Sequence, residues 1–281
     1  MKKFWIFLAI CFGISYGSAA LFKLLGGQLV GPGGFIFASC YMVVPLISVV
    51  LTQLITGEKV LSGCGVSFRI NRWWLVGLVS MPVFALLTIP VSALFPGVSI
   101  GVSGPEIGQA VSQMQASGLP VGPWGLLLIT LLSGLIAACT INALFAFGEE
   151  VAWRGFLSRC LDGLTFWKKS LLVGAVWGIW HAPLILMGHN YPAHPVAGVF
   201  MMVAFCMLFA PMIQFIRDRS GSVIAAAVMH GSLNAVAGIA NLYLCGFNDL
   251  LCGCPGAAGM AILLVSGIVL AIIQRRNSSQ Q

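Results

Sequence analysis

Long apolar segments constrain this chain more than any other feature of its sequence. Of its 281 residues, 59% are hydrophobic and only 7% are Asp, Glu, Lys or Arg. A hydrocarbon core about 30 Å thick is crossed by roughly 20 apolar residues in a helix, and segments of that length recur along the whole chain. We predict eight membrane-spanning segments, at about 4–24, 35–55, 73–95, 124–150, 170–187, 196–216, 222–244 and 257–273.

The predicted spans must be helical, because every backbone N–H and C=O group in lipid needs a partner within the protein. The 14 basic and 7 acidic side chains are too few to cover a soluble protein of this size. That scarcity excludes a secreted globule, a disordered chain, a coiled coil and a nucleic-acid binder. The prediction is an all-α polytopic membrane protein of about eight transmembrane helices, with residues 1–281 as a single transmembrane domain.

The basic residues predict the orientation of the chain in the membrane. If the N-terminus is cytoplasmic, the predicted outside segments carry Lys23 alone among the 14 Lys and Arg residues. Because Lys and Arg are enriched in cytoplasmic loops, we expect both termini in the cytoplasm of a bacterial-type cell. The basic residues of the cytoplasmic side are then Lys2, Lys3, Lys59, Arg69, Arg72, Arg154, Arg159, Lys168, Lys169, Arg217, Arg219, Arg275 and Arg276.

Three further segments have more than one interpretation. The N-terminal Lys pair, an apolar run and small residues at 18–20 are also typical of a signal peptide, but the apolar run continues to Leu25, which favours a retained helix. His189 and His194 lie in a predicted outside loop at a spacing that can also suit a metal, but they are expected to be solvated. A disulfide can form in an oxidising compartment among the cysteines of another predicted outside loop, which are Cys245, Cys252 and Cys254. A zinc site at these cysteines is less favoured, because no fourth ligand lies nearby in the sequence.

Three short motifs place polar or ionisable side chains inside predicted spans, where such groups are costly and mark functional sites. Each motif contains two residues four positions apart, which lie on the same face of a helix. The motifs are Glu149-Glu150-x-x-x-Arg154 in "GEEVAWRGFL", Trp177-x-x-x-His181 in "VWGIWHAPL" and His230-x-x-x-Asn234 in "MHGSLNA".

The three motifs are expected at one depth in the membrane. Counting from each motif to a basic residue near the predicted cytoplasmic surface gives roughly 15 to 18 Å at 1.5 Å per residue. We therefore predict one buried, water-accessible polar cavity that opens to the cytoplasmic side, within a motif-bearing core at 124–245. The counts run from Glu149 to Arg159, from His181 to Lys169 and from His230 to Arg219.

The residue types indicate hydrolysis of an amide bond inside the membrane. A carboxylate and a neutral imidazole can share a water molecule, with Glu149 as the general base that makes it nucleophilic. His230 and Asn234 can donate hydrogen bonds to the oxyanion of a tetrahedral intermediate. Arg154, paired with Glu150, can offset the charge of the two adjacent carboxylates.

Taken together and in this order, the three motifs resemble those of the CPBP (Abi) family of intramembrane proteases, which includes the type II CAAX prenyl endopeptidases. The eight-helix plan is similar to that of the family, and the motif-bearing resemblance covers about residues 140–240. Trp177 stands where the family usually has Phe, a difference that concerns the shape of the pocket. The resemblance implies Glu149 as the catalytic glutamate, His181 as the histidine that helps it to activate water, Glu150 and Arg154 as their support, and His230 with Asn234 as the oxyanion site.

A zinc-dependent version of the same protease is an alternative. Glu149, His181 and His230 can bind Zn²⁺ and leave one position open, as in catalytic zinc sites. The sequence lacks the His-Glu-x-x-His helix of the zincins, and the resemblance to type II CAAX enzymes favours a glutamate mechanism without metal. We therefore expect no cofactor, with zinc as the alternative.

A non-proteolytic transporter, scaffold or immunity protein is a second alternative. Polar groups in a cavity at the membrane midplane also mark transport pathways, but transporters usually show inverted repeats, and here the buried charge lies in the second half of the chain. A scaffold or immunity protein would have no need of three intact motifs. The expected partners are a membrane-associated protein or peptide substrate and the lipid bilayer, with no nucleic acid; the oligomeric state is not predicted.

Overall fold

The computed structural model describes residues 2–102, 105–119 and 121–278, and this part of the chain is mostly helical. Two short strands, β1 (Ser99–Ile100) and β2 (Leu244–Cys245), pair antiparallel. The helices are α1 (Lys2–Leu24), α2 (Gly31–Ile55), α3 (Arg72–Ser92), α4 (Pro105–Ala116), α5 (Pro123–Cys139), α6 (Ile141–Glu150), a π-helix (Val151–Leu157), α7 (Ser158–Cys160), α8 (Phe166–Trp180), α9 (Ala182–Leu186), α10 (Pro195–Ser220), α11 (Val223–Val236), α12 (Ile239–Tyr243) and α13 (Ala257–Ser278).

Seven helical segments among the described residues are long and apolar enough to cross a membrane, or eight if one bent pair is a single span. This confirms the predicted all-α polytopic membrane fold. The bent pair joins α5 to the segment Ile141–Cys160. The seven unbroken segments are Lys2–Leu24, Gly31–Ile55, Arg72–Ser92, Phe166–Leu186, Pro195–Ser220, Val223–Tyr243 and Ala257–Arg276.

The fourth predicted span differs from a continuous helix over 124–150. The chain bends by 49° between α5 and α6, at Thr140, whose φ and ψ of −122° and −105° are not helical. Directly after Glu150 the backbone becomes a π-helix over Val151–Leu157. A π-helical turn inside an α-helix is frequent at functional sites, and here it follows the first polar motif.

Polar contacts tie together the loops at one end of the helical bundle. Glu58 accepts hydrogen bonds from Lys3 and from Arg159, the latter at 2.7 Å between Nη2 and Oε2. Asn71 Nδ2, at the start of α3, donates to the carbonyl oxygen of Ser220 at the end of α10, at 3.0 Å. The helix ends that meet here carry most of the Lys and Arg residues, so we call it the basic end.

A second set of contacts closes the opposite end, which we call the loop end. Strand β1 precedes α4, and its partner β2 follows α12. The connection between α9 and α10 is joined to the connection between β2 and α13, because Tyr191 Oη donates to the carbonyl oxygen of Pro255 at 2.7 Å. Lys23 lies at this end, in the last turn of α1.

Glycines let the helices that carry the second and third motifs pack closely on their neighbours. A Cβ atom at Gly178 would lie 2.5 Å from Val203 Cα, so α8 packs directly on the backbone of α10. A Cβ atom at Gly231 would lie 2.7 Å from the backbone nitrogen of Ala143, which brings α11 against α6. Small residues allow such close packing of transmembrane helices. The helix of the third motif is thereby held against the helix of the first, and α10 supports the helix of the second.

Candidate active site

Glu149 lies in the last turn of α6 and is only 1% exposed. Its Oε2 atom accepts a hydrogen bond from Trp177 Nε1 at 2.7 Å and a longer one from Trp153 Nε1 at 3.4 Å. Hydrogen bonds to an ionised acceptor are stronger than those between neutral groups. The two indoles therefore fix one carboxylate oxygen, while Oε1 accepts no hydrogen bond from the described residues.

His181 follows the last residue of α8, and the hydrogen bond that it makes assigns its tautomer. Its Nδ1 atom is 2.9 Å from the carbonyl oxygen of Trp177. Because a carbonyl oxygen only accepts, Nδ1 carries the proton, and Nε2 of the neutral ring is left as an acceptor. A histidine in this state can accept a hydrogen bond from water.

Glu150, Arg154 and His230 form a buried polar chain behind Glu149. Arg154 Nη1 donates to Glu150 Oε1 at 3.0 Å, and both side chains are completely buried. His230 Nδ1 lies 2.8 Å from the same oxygen atom. The carboxylate accepts both hydrogen bonds, so Nδ1 of His230 carries a proton. The predicted pairing of Glu150 with Arg154 is thus present in the structure.

The side chain of Trp177, which belongs to the second motif, contacts residues of all three motifs. Its ring centroid lies 5.6 Å from the His181 ring and 5.2 Å from the His230 ring. The guanidinium carbon of Arg154 lies 4.3 Å from the centroid of the indole ring, within the range of a cation–π interaction. With its hydrogen bond to Glu149, this tryptophan connects the helices α6, α8 and α11.

A cavity of about 250 Å³ contains most of the predicted site residues. Among its lining residues are Glu149, His181, His230 and Asn234, with Trp177 in the wall. This volume has room for several water molecules or for part of a peptide. Asn234 is exposed, whereas Glu149 and His230 are buried. The structure therefore places the predicted polar groups of three separate helices around one space.

Glu150 and Arg154 do not line this cavity; they pack behind it. Sequence reasoning missed Trp153, although its position four residues after Glu149 is the spacing of a helix face. It also treated His189 as a solvated loop residue, whereas His189 and Asn190 line the cavity. No sequence signal marked those two residues, because the fold of their loop brings them there.

The cavity extends toward the loop end of the bundle. Its lining reaches His189, Asn190 and Pro255, which belong to connections at that end. On the other side of Glu149, the side chains of Trp153 and Phe156 in the π-helix are fully buried. The opening toward the cytoplasmic side stays a prediction, because the structure contains no membrane.

Two other expectations concern the loop end. His194 is not simply solvated, because its Nδ1 atom lies 2.6 Å from Asp249 Oδ1. Cys245, Cys252 and Cys254 are all free thiols in the structure.

The side chains of the described residues do not fit the zinc alternative. No group of three or more His, Cys, Asp or Glu side chains within residues 2–102, 105–119 and 121–278 is arranged to hold a metal ion. Of the three proposed ligands, Glu149 Oε2 accepts from two indoles. We therefore derive no step of the reaction through a metal.

Comparison with known proteins adds an independent finding. Residues 124–236 match a family model described as "Type II CAAX prenyl endopeptidase Rce1-like". This range contains all three motifs. The segment is Rce1-like. The chain is also similar to CAAX prenyl protease 2 of Methanococcus maripaludis, with 33% identity over 126 residues. The aligned region covers 43% of this chain and 41% of that protein, so the match spans less than half of the relative. The Rce1-like segment confirms the family resemblance that the motifs predict.

Proposed function

We propose that this protein is an intramembrane endopeptidase that hydrolyses a peptide bond of a membrane-associated protein or peptide. The Rce1-like segment and the polytopic membrane fold support this function. The observation that carries it is the common cavity of Glu149, His181, His230 and Asn234. A general base, a hydrogen-bond acceptor for water and donors for an oxyanion are the groups that amide hydrolysis needs.

The free oxygen of Glu149 is the proposed general base. A water molecule that donates to Glu149 Oε1 and to His181 Nε2 has its oxygen directed into the cavity. As this oxygen attacks the carbonyl carbon of the scissile bond, one water proton passes to Oε1. The indole hydrogen bonds to Oε2 keep the carboxylate in place during this transfer.

His230 and Asn234 are the proposed oxyanion site. Because Nδ1 of His230 donates to Glu150, its Nε2 atom can donate only when the ring is the imidazolium. The four charges then balance, with Glu149 and Glu150 negative and Arg154 and His230 positive. The imidazolium and the Asn234 amide together stabilise the tetrahedral oxyanion.

Collapse of the tetrahedral intermediate completes the proposed reaction. The carbon–nitrogen bond breaks, and the proton held by Glu149 passes to the leaving nitrogen. The products are an amine and a carboxylic acid, which loses its proton to water. Glu149 returns to its ionised form, so no covalent enzyme intermediate is required.

The experiment that tests this function compares the membrane peptides of cells that express wild type, Glu149→Gln or Asp162→Asn. Asp162 lies on the surface, with 68% of its side chain exposed, and serves as the matched control. We expect fragments that accumulate with wild type and Asp162→Asn, and that are absent with Glu149→Gln. The same fragments at equal abundance with Glu149→Gln would overturn the proposed function.

A further inference from the structure

We propose that a groove on the outer surface of the bundle, between α3, α10, α11 and α13, binds a phospholipid with an anionic headgroup. Arg72 and Arg219 bind the headgroup phosphate at the basic end, and one acyl chain lies along the groove. This site is separate from the cavity at Glu149. It requires no particular orientation of the chain, because lipid headgroups lie at both surfaces of a membrane.

The groove has a volume of about 950 Å³, and ligand sites in proteins enclose about 300 to 1,000 Å³. Its floor consists of buried apolar side chains, and its rims consist of exposed ones. Such a concave apolar surface holds a hydrocarbon chain on several sides, which a flat helix face does not. The floor includes Phe84, Ile216 and Met229, and the rims include Leu75, Val83 and Ile273.

The length of the groove suits one acyl chain. Along α3 its lining extends from Arg72 to Leu87, roughly 22 Å at 1.5 Å per residue. Along α13 it extends from Ile273 back to Ile262, roughly 16 Å by the same rise. One leaflet supplies half of a hydrocarbon core that is about 30 Å thick. An acyl chain whose headgroup lies at the basic end is therefore in contact with the groove over its whole depth.

Two arginines at the basic end of the groove share one tryptophan ring. The guanidinium carbons of Arg72 and Arg219 lie 5.3 and 5.9 Å from the centroid of the Trp73 ring. Arg219 also lies 5.1 Å from the centroid of the Phe215 ring, which packs edge-on against Trp73. The aromatic rings thus hold two like charges near each other. Their repulsion is offset when an anion lies between them.

The described part of the chain supplies no such anion. Neither Arg72 nor Arg219 forms an ion pair or a side-chain hydrogen bond with a described residue. The described carboxylates at the basic end are each paired with other cations. These pairs are Glu58 with Lys3 and Arg159, Asp162 with Lys169, and Asp218 with Arg217.

A lipid headgroup supplies the missing charge at the right depth. Guanidinium groups bind phosphate with strong, charge-assisted hydrogen bonds, and tryptophan is enriched at the level of the headgroups. A zwitterionic headgroup would also bring a cation toward Arg72 and Arg219. A headgroup with net negative charge avoids that repulsion, so the site favours it.

The floor of the groove is the back of a helix that carries a motif. Met229 lines the groove, and the next residue, His230, lines the cavity at Glu149. A Cβ atom at Gly77 would lie 3.2 Å from Met229 Cβ, so α3 packs closely on α11 at this level. A bound acyl chain therefore packs against the helix that holds His230. Because a ligand that binds only the folded protein stabilises it, the lipid should raise the unfolding temperature.

Lipid binding to the purified full chain tests the site without relying on cleavage. Native mass spectrometry in detergent measures the apparent Kd for phosphatidylglycerol and for phosphatidylcholine with the same acyl chains. We expect wild type to bind phosphatidylglycerol at least about tenfold more tightly, because its net charge favours the charge-assisted hydrogen bonds. The double variant Arg72→Gln, Arg219→Gln should lose this preference. The matched control Lys59→Gln, Arg69→Gln removes two exposed charges at the same end but outside the groove, and should keep it.

A second pair of variants tests the acyl-chain part of the site. Ile273→Trp places a large ring in the groove, whereas Ile272→Trp places the same ring outside it on the same helix. The two isoleucines are similarly exposed, at 46% and 47%. Ile273→Trp should weaken phosphatidylglycerol binding by at least about tenfold, because the ring occupies the space of the chain. Ile272→Trp should bind this lipid as wild type does.

Four outcomes would overturn the proposal. The first is equal Kd values of wild type for the two lipids, and the second is an unchanged lipid preference in the folded arginine double variant. The third is unchanged binding by Ile273→Trp, or displacement of the lipid by inorganic phosphate at an equal concentration, which would indicate a site for a free anion. The fourth is a lipid-free dimer that Ile273→Trp dissociates, which would show that the groove binds a second copy of this chain.

Discussion

Trp177 is the residue on which the geometry of the site depends most. Its indole N–H donates the 2.7 Å hydrogen bond to Glu149, its carbonyl oxygen accepts from His181, and its ring lies beside Arg154. The CPBP family usually has Phe at this position, which has no donor. In this protein the aromatic residue therefore positions the Glu149 carboxylate as well as forming part of the cavity wall.

Replacing Trp177 by Phe should slow the reaction while preserving the fold. A hydrogen bond to a charged group contributes about 1.5 to 3 kcal/mol, which corresponds to a decrease of about ten- to a hundredfold in turnover. The measurement is kcat with a peptide that the wild type cleaves, together with thermal unfolding. Trp124→Phe is the matched control, because Trp124 is 65% exposed. Equal turnover of Trp177→Phe and wild type would show that the indole N–H does not position Glu149.

Replacing Glu150 by Gln should destabilise the protein itself. The change leaves the fully buried Arg154 without its charged partner, and an unpaired buried charge costs about 3 to 5 kcal/mol. We expect a clearly lower unfolding temperature in detergent. Asp162→Asn, which removes the exposed ion pair with Lys169, should change stability by less than about 1 kcal/mol. The prediction is wrong if the two variants unfold at the same temperature.

Residue spacing in the sequence predicted part of this site. Glu149, His181, His230 and Asn234 were recognisable because polar groups are rare inside apolar spans and here recur at four-residue intervals. His189 and Asn190 were not, because polar residues are ordinary in loops. Only the fold of their loop, with its two left-handed backbone positions, brings them to the cavity.

At the scale of the helices, hydropathy predicted where the chain crosses the membrane but not how each crossing is built. The fourth crossing bends at Thr140 and changes to a π-helix after Glu150. A shift in backbone hydrogen bonding leaves the count of apolar residues unchanged, so composition does not reveal it. The π-helix begins directly after Glu150, and its buried side chains pack between Glu149 and the basic end.

The packing of α8 on α10 gives a prediction for this scale. A Cβ atom at Gly178 would lie 2.5 Å from Val203 Cα, which is closer than Cβ atoms in proteins approach other atoms. Gly178→Ala should therefore separate the helices, lower the unfolding temperature and displace Trp177, with loss of cleavage. Gly13→Ala in α1 is the matched control, because no atom lies within 4 Å of its added Cβ, and it should behave as wild type. Normal stability of Gly178→Ala would contradict the close packing.

At the scale of the whole molecule, the charge asymmetry of the sequence and the direction of the cavity are separate properties. Counting residues along single helices predicted one depth for the three motifs. It could not show which end of the bundle is filled, because filling depends on how side chains from several helices pack together. In the structure, buried side chains fill the basic end, and the residues that line the cavity extend toward the loop end.

The contacts at the basic end predict how stability changes with pH. Lys3 and Arg159 lower the pKa of the Glu58 carboxyl from 4.5 to about 2. A lowered pKa means that the ion pairs stabilise the fold fully above the unfolded value, and that this contribution is lost as pH falls through about 2. Glu58→Gln should therefore unfold at a lower temperature than wild type at neutral pH, and the difference should vanish near pH 2. A difference that stays constant over this range would contradict the assignment.

The central claim is that Glu149 activates water for peptide hydrolysis, and its most direct test is the turnover of purified protein in liposomes. Wild type and Glu149→Gln are compared with one membrane peptide, and thermal unfolding confirms that both are folded. Because loss of a general base typically costs 10² to 10⁴ in rate, we expect turnover by Glu149→Gln to fall at least about a hundredfold. Turnover within about twofold of wild type by the folded variant would contradict the account.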